Sequence, residues 1–345
     1  MTLTVEQADA FGGELDALRA ELVLGQEDVD HIRRIIALAR RSELAGRMLL
    51  ALGLDPLTFV AGAGLLSLAK ILENMEIGHN VMHGQYDWTR DPQLHSHDYD
   101  WDMACDADHW RHSHNYEHHT FTNILGKDRD VGYGWLRFFP EQPWRPAHLA
   151  QLLVAAGLAL GFEWGIGAHD LRVPETLAGE QSTAELARRA GPFLRKVAWQ
   201  LLKDYGVYPV LAGPNFARVA FGNLLANATR NVWAFAVIFC GHFPEGVVVY
   251  DEATTRTETR GQWLVRQLQG SANLEGSPVF DLLTGHLSYQ IEHHLFPDVP
   301  ASRYPELAPR VREICARHAV SYQSGSLRKQ LGSVARRLLR YSLPF

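Results

Sequence analysis

The sequence has little of what several common sites are made from. Its three cysteines, Cys105, Cys240 and Cys315, stand too far apart for a CxxC pair or a disulfide framework, which removes iron–sulfur and zinc-ribbon ligation. There is no long Lys/Arg block and the formal net charge is −6, so a protein built around nucleic acid is excluded, because phosphate binding needs concentrated positive charge. No Ser- or Cys-centred triad pattern is present. The opening Met1-Thr-Leu-Thr-Val-Glu is polar and acidic and lacks the positive and apolar regions of a secretory signal, so metal-binding segments are expected on the cytoplasmic side. The mean hydropathy of −0.16 is ordinary for a soluble protein, but that average hides a few apolar spans between long polar segments. At 345 residues the chain can form one large domain or two small ones.

Within residues 1–46, Leu15, Leu18, Leu22, Ile32, Ile35 and Ile36 recur at helical spacing among many charges, which predicts extramembrane helices. A first membrane region is expected over 47–78: Met48–Leu54, a break at Asp55-Pro56, then Leu57–Ile77, with Pro56 suited to a turn or a first helical position. Lys70, Glu73 and Glu76 fall towards its end, where side chains can reach polar surroundings. Residues 79–146 are rich in His and Trp and hold no spanning run, so they must lie outside the hydrocarbon. A second membrane region, 147–243, contains the apolar runs Ala147–Ala168, Tyr205–Ala226 and Val232–Gly241; residues 244–345 are polar. Metal ligands before and after these runs must share one side, so the crossings between them must be even in number. Either Ala147–Ala168 lies partly in the interface, or the last two runs join through Asn227–Asn231 into one long crossing. The charges of His169–Asp204 are nearly balanced, so the positive-inside rule does not choose between these topologies. Leu327–Arg340 alternates Arg328, Lys329, Arg336, Arg337 and Arg340 with Leu331, Val334, Leu338 and Leu339, a basic amphipathic helix for an anionic membrane surface or a packed end helix.

The 17 histidines carry the chemistry. His79-Asn-Val-Met-His83 sets two imidazoles four residues apart on one helical face. His114-Asn-Tyr-Glu-His118-His119 repeats that spacing and adds a neighbour about 100° further round, able to reach a second ion. Gln290-Ile-Glu-His293-His294 has the same form, with an amide oxygen in place of one imidazole. About eight donors are too many for a tetrahedral zinc and suit two metals with open positions. Imidazole accepts iron, copper, zinc or nickel, so spacing alone does not name the metal. His242, closing an apolar run in CGHFP, and His286, four residues before Gln290, are further candidate donors. His95, His97, His109 and His112 are expected to be solvated or to support the ligands, and His31, His148, His169 and His318 to be structural or exposed. Asp98, Asp100, Asp102, Asp106 and Asp108 offer carboxylates for the outer ring nitrogens. Trp88, Trp101 and Trp110 are candidates to wall an acyl channel or to anchor at an interface.

The strings GHNVMHGQYDW, HNYEHHTFTN and QIEHHLFPDVP, in this order, resemble the histidine boxes of the membrane fatty-acid desaturases. The likeness runs from about Leu57 to Tyr304 and is greatest to the branch with Gln opening the third box, which includes linoleoyl-CoA-type and bacterial acyl-CoA desaturases. The resemblance implies an all-α, multi-pass integral membrane protein, a single domain over 1–345, whose cytoplasmic histidine-rich cap holds a non-haem di-iron site. It implies His79, His83, His114, His118, His119, His293 and His294 as iron ligands with Gln290 beside them, and His242 as an additional ligand. The second box has three residues between its first His and the HH pair where many relatives have two, which makes His112 a possible substitute for His114.

The activity so implied is formation of a double bond in a long acyl chain, on CoA or a lipid, with dioxygen and two electrons; no general base or separate cofactor-binding residue is assigned. The chain has no GxGxxG opening a βαβ unit, no iron–sulfur spacing and no HPGG haem segment, so electrons are expected from another protein of the ferredoxin and reductase type. Membrane lipids are the other expected partners, with the protein in the cell membrane. A lipid hydroxylase with the same irons and a non-catalytic metal-binding membrane protein are the alternatives.

Overall fold

Asp55 and Pro56 end one helix and start the next. In the computed structural model, which describes residues 3–344 and so leaves the first two residues of the polar amino terminus outside, the helix Gln26–Leu52 stops at Gly53. Asp55 then caps its successor by accepting the Thr58 amide at 3.0 Å. Pro56 takes the first turn, where a missing N–H leaves no bond unmade. This second helix continues for 27 residues, Pro56–Met82, through a wide π-helical turn at Leu72–Gly78, and so carries the first histidine box on its own end. The two helices pack closely because Gly46 and Gly62 face one another. A Cβ on Gly46 would come within 2.9 Å of the Gly62 carbonyl oxygen.

Among the described residues two helices are long and apolar enough to cross a membrane by length and composition, Pro56–Met82 and the 30-residue Gly213–His242. The second joins most of two apolar runs, with Asn227–Asn231 inside it, while Tyr205–Leu211 belongs to the preceding arm of helix Thr183–Leu201 and its π-helical extension Leu202–Val207. Ala147–Ala168 is not one straight span: the chain turns by 103° between Pro146–Leu160 and Phe162–Leu177, at Gly161.

Charges buried among these helices are paired. Lys70 Nζ lies 2.8 Å from Asp204, and Arg230, inside the Gly213–His242 helix, pairs with Glu163. The amino-terminal helix Val5–Ala20 does not stand apart. Its Phe11, Leu15 and Leu18 are fully buried against Leu264, Leu268 and the third-box residues Ile291 and Leu295, each such side chain contributing roughly 1.5–3 kcal/mol. A larger core under Gly213–His242 gathers Phe138, Phe162, Phe239, Phe243 and Leu287, and it includes Val334 and Leu338 of the carboxy-terminal helix Leu327–Tyr341. That helix is therefore packed along one face, while Leu331, Leu339, Arg336 and Arg340 point outward. The described residues contain one small sheet, Asn273–Glu275 paired in parallel with Ser324–Ser326; the fold is otherwise helical, as expected.

Candidate metal centre

The three boxes reach one place from three directions. The first closes the Pro56–Met82 helix, with the His83 amide donating to the His79 carbonyl at 3.1 Å. The second lies on a π-helical stretch, Arg111–His118, rather than the α-helix assumed from its spacing. In this wider turn the rings of His114 and His118 stack 5.1 Å apart, while His119, opening the next short helix, stands at 81° to His118. The third occupies the helix Gln290–Leu295. A Cβ on Gly241 would meet Gln290 Oε1 at 3.0 Å, so a glycine before His242 lets the long helix lie against the third box.

Ring nitrogens collect into two groups. His79, His83, His114 and His293 form one and His118, His242 and His294 the other, each with its ligand atoms within 4.8 Å of one another. In the second, His242 Nε2 is 3.2 Å from His118 Nε2 and 3.0 Å from His294 Nε2. The His119 ring lies between the groups, with centroid separations of 4.7 Å to His83 and 4.5 Å to His294. Gln290 Nε2 is 3.4 Å from His242 Nε2.

The structure thus assembles all the expected donors except His286. The reading that His286 extends the third box along one helical face is corrected: Gly285 and His286 both have left-handed backbones, at φ 66° and 56°, which interrupts the helix. Nδ1 of His286 instead meets Glu76 at 2.8 Å, across from His31, and so takes it out of both groups. His112 does not replace His114; it faces Glu117 at 3.4 Å and stacks on Tyr116.

These residues fit metal ions by a criterion independent of spacing. Buried polar atoms are nearly always hydrogen-bonded, yet Nε2 of His83, His114 and His293, both ring nitrogens of His119 and Oε1 of Gln290 are buried with no partner. Burial first, and neighbouring imidazoles second, hold His83, His119, His293 and His294 well below the ordinary histidine value, so these rings are neutral, as metal ligation requires. Burial works the same way on His118, but the Asp128 and Asp130 carboxylates together outweigh it and raise this ring.

Four of the outer nitrogens are anchored, which directs the inner ones of those rings inward. His118 Nδ1 lies 3.0 Å from Asp128, His294 Nδ1 3.1 Å from Gln267 Oε1, His242 Nδ1 2.8 Å from the Ile238 carbonyl and His79 Nδ1 3.1 Å from Asn80 Oδ1. Asp130 stands 3.6 Å from both His114 and His169. The acidic run suggested for this work is engaged elsewhere: Asp100 pairs with Lys196, Asp102 with Lys203, Asp108 with Arg111, Asp106 caps a helical turn and Asp98 is exposed. Sequence reasoning missed Asp128, Asp130 and Gln267. Only the KDRD cluster ten residues beyond His118 hinted at the first two, and Gln267 gave no signal.

A cavity opens beside the nitrogens. Met75, Trp101, Trp110, Phe162, Ile166 and Leu287 give it an apolar wall, and Trp110 stacks on His114 with centroids 4.4 Å apart. Trp101 and Trp110 line this cavity, whereas Trp88 does not and donates to the Gln85 carbonyl.

Paired histidine groups at the ends of apolar helices, beside a cavity with apolar walls, are compatible with a metal site in a membrane protein. The fatty acid desaturase family model matches residues 55–326, and the chain belongs to that family. It is accordingly an oxygen-dependent oxidoreductase. The chain is similar to the NADPH-dependent stearoyl-CoA 9-desaturase of Mycobacterium tuberculosis, at 42% identity over 348 residues, 99% of this chain and 82% of that protein. It is more distantly similar to the sn-1 linoleoyl-lipid 6-desaturases of Synechocystis, 26% identical with 76% of this chain and 74% of that protein covered, and of Arthrospira platensis, 24% identical with 71% and 67% covered.

Proposed function

We propose that the protein desaturates a long-chain acyl-CoA, stearoyl-CoA at carbon 9 being the first substrate to test, at a centre of two irons held by the two nitrogen groups. One observation carries the metal reading: buried ring nitrogens converge, those of His83, His114, His119 and His293 with no partner in the fold and those of His118, His242 and His294 facing one another. Iron suits such ligands, and its open positions suit dioxygen. When bound, iron with dioxygen supplies the oxidant for two adjacent methylenes; two hydrogens leave the chain, two electrons and two protons enter, and two waters form. The protein's own part is to hold two carbons beside the nitrogens and keep water away, which the apolar wall of Trp101, Trp110, Phe162 and Ile166 does. The relative's NADPH dependence favours an NADPH-linked reductase as the external donor.

The proposed topology is two helical hairpins. Pro56–Met82 and Gly213–His242 both end on ligands, His79 and His242, so both run towards one face. Gln26–Leu52 and the arm Thr183–Leu211 return the chain, exposing Leu44, Met48 and Leu52 in one and Leu194, Val210 and Leu211 in the other. Of these four crossings, the arm and Gly213–His242 lie between the second and third boxes, so two crossings satisfy the even count, with the bent pair at Gly161 turning back and the boxes on the cytoplasmic side.

Iron-loaded protein in detergent, given stearoyl-CoA, oxygen and an NADPH-linked reductase, is expected to form oleoyl-CoA with one NADPH consumed per double bond. A hydroxylated product would transfer the assignment to the hydroxylases, and no oxygen consumption on acyl-CoA would end it.

A further inference from the structure

The π-helical turn Leu72–Gly78 separates two cavities. Met75 lines the one beside the imidazoles, Glu73 lines a second between the helices Gln26–Leu52 and Pro56–Met82, and Asn74 borders both. Such turns recur at functional positions, because the wider spiral re-aims side chains that a regular helix would stack. Asn74 is 7% exposed, and its side-chain amide makes no hydrogen bond among the described residues. Buried amides are nearly always bonded, so an open one between two cavities calls for water.

The second cavity is polar, with Arg40, Glu43, Lys70, Glu73, Asp102 and Arg230 around it. It offers about 20 Å³ to water centres, more than the roughly 10–15 Å³ that one water needs. Most of these charges are engaged: Lys70 with Asp204, Arg230 with Glu163, Asp102 with Lys203 and Glu43 with Arg47. Glu73 is held differently. Its Oε1 accepts from the half-buried Tyr99 hydroxyl at 2.7 Å, while its Oε2 makes no hydrogen bond and lies 3.3 Å from Arg40, an exposed side chain. A buried carboxyl therefore meets the surface through Arg40 on one side and adjoins Asn74 on the other. Beyond Asn74, the inner cavity holds His79, His118 and His242.

Forming a double bond takes up two protons and releases two waters, and the apolar walls Trp101, Trp110, Phe162 and Ile166 give neither of them a route. Resting on the desaturase reading above, we propose that the cavity at Glu73 is a water-filled passage that carries protons to the metal centre and product water away from it. Tyr99 fixes Oε1, so Oε2 takes a proton from water on the Arg40 side. The new O–H then donates to water held by the Asn74 amide, and the carboxylate is regenerated. Two such passes supply the two protons of one turnover. The two electrons come from the reductase, and no group in the passage is oxidised or reduced.

Two measurements test this, one of them without turnover. In the metal-free protein, radiolytic labelling, which oxidises side chains beside bound water, is expected to modify Met103 at the polar cavity at least about fivefold faster than Met82, which is also buried but lines neither cavity. Equal labelling of the two overturns the water. In the iron-loaded enzyme with its reductase, Glu73→Gln is expected to lower kcat on stearoyl-CoA at least about 10-fold and to enlarge the solvent isotope effect, with KM and iron content unchanged. Arg40 is exposed, so losing this pair costs little stability and the variant folds. Glu73→Asp, which keeps a carboxyl, is expected to recover most of the turnover. A merely structural Glu73 would change iron content or the denaturation midpoint and leave the isotope effect unmoved. Asn74→Leu, which puts an apolar side chain between the cavities, is expected to reproduce the loss; if it does not fold, Glu73→Gln decides. Wild-type turnover and isotope effect in Glu73→Gln overturn the relay. A wild type that makes no double bond removes the desaturase reading and the relay together; wild-type product with unaltered variants removes only the inference.

Discussion

Two sets of buried polar side chains lie close together in this molecule and differ in what they lack. Among the helices, Lys70 faces Asp204 and Arg230 faces Glu163, so each charge meets an opposite one inside the protein. At the histidine cluster, several ring nitrogens and one amide oxygen meet nothing. The fold gives the first set its counter-charges, although Asp204 Oδ1 has no hydrogen bond, and leaves several atoms of the second without any partner. Burial alone therefore does not mark a functional site. What marks it is a buried donor set converging on one place, in which some rings are anchored through their outer nitrogens and others keep nitrogens left over.

Substitution should separate the two sets, since one would lose chemistry and the other stability. The largest effect on activity is expected at the cluster: His294→Ala or His118→Ala should abolish product and lower bound iron while the protein still enters the membrane, checked by product and iron per chain. Substantial activity in both variants would detach these groups from the reaction. In the paired set, Glu163→Ala leaves Arg230 charged and buried without its partner, and is expected to cost about 3–5 kcal/mol of stability. Denaturation in detergent would show this as a large fall in midpoint, with normal turnover per bound iron in the folded fraction; an unchanged midpoint would mean that the pair is solvated. Between the sets stands Asp128, a carboxylate that serves a ligand. Asp128→Asn is expected to lower iron affinity or activity roughly 10–100-fold, read by competition with a chelator. The smallest effect on the metal is expected from His286→Ala, which should keep full iron content despite the sequence proximity of His286 to the third box. Loss of half the iron would return it to the ligand set.

Local order carried most of what the sequence disclosed. Pro56 at a helix start, the apolar span behind it and the three boxes are set by neighbouring residues and can be read without a fold. His242 was also accessible, because it ends an apolar run as His79 does. What escaped depended on backbone departures or distant partners. The π-helical turns at Leu72–Gly78 and Arg111–His118 alter the angular spacing of the rings. Two left-handed residues at Gly285 and His286 break a helix that periodicity would have continued. Gln267 reaches His294 from a helix far along the chain, and nothing in its local sequence announces it. The crossing count was obscured for a related reason. Gln26–Leu52 and Thr183–Leu211 carry enough polar groups against their neighbours that composition alone does not mark either as a span.

The central claim is that the unpartnered nitrogens belong to two irons, and metal analysis joined to X-ray absorption on the purified holoenzyme tests it most directly. The account predicts about two irons per chain, each in a shell dominated by imidazole nitrogen, and stepwise loss of that shell in His293→Ala and His294→Ala. One tightly held zinc per chain with no iron, or an iron shell dominated by oxygen and unaffected by either substitution, would contradict it.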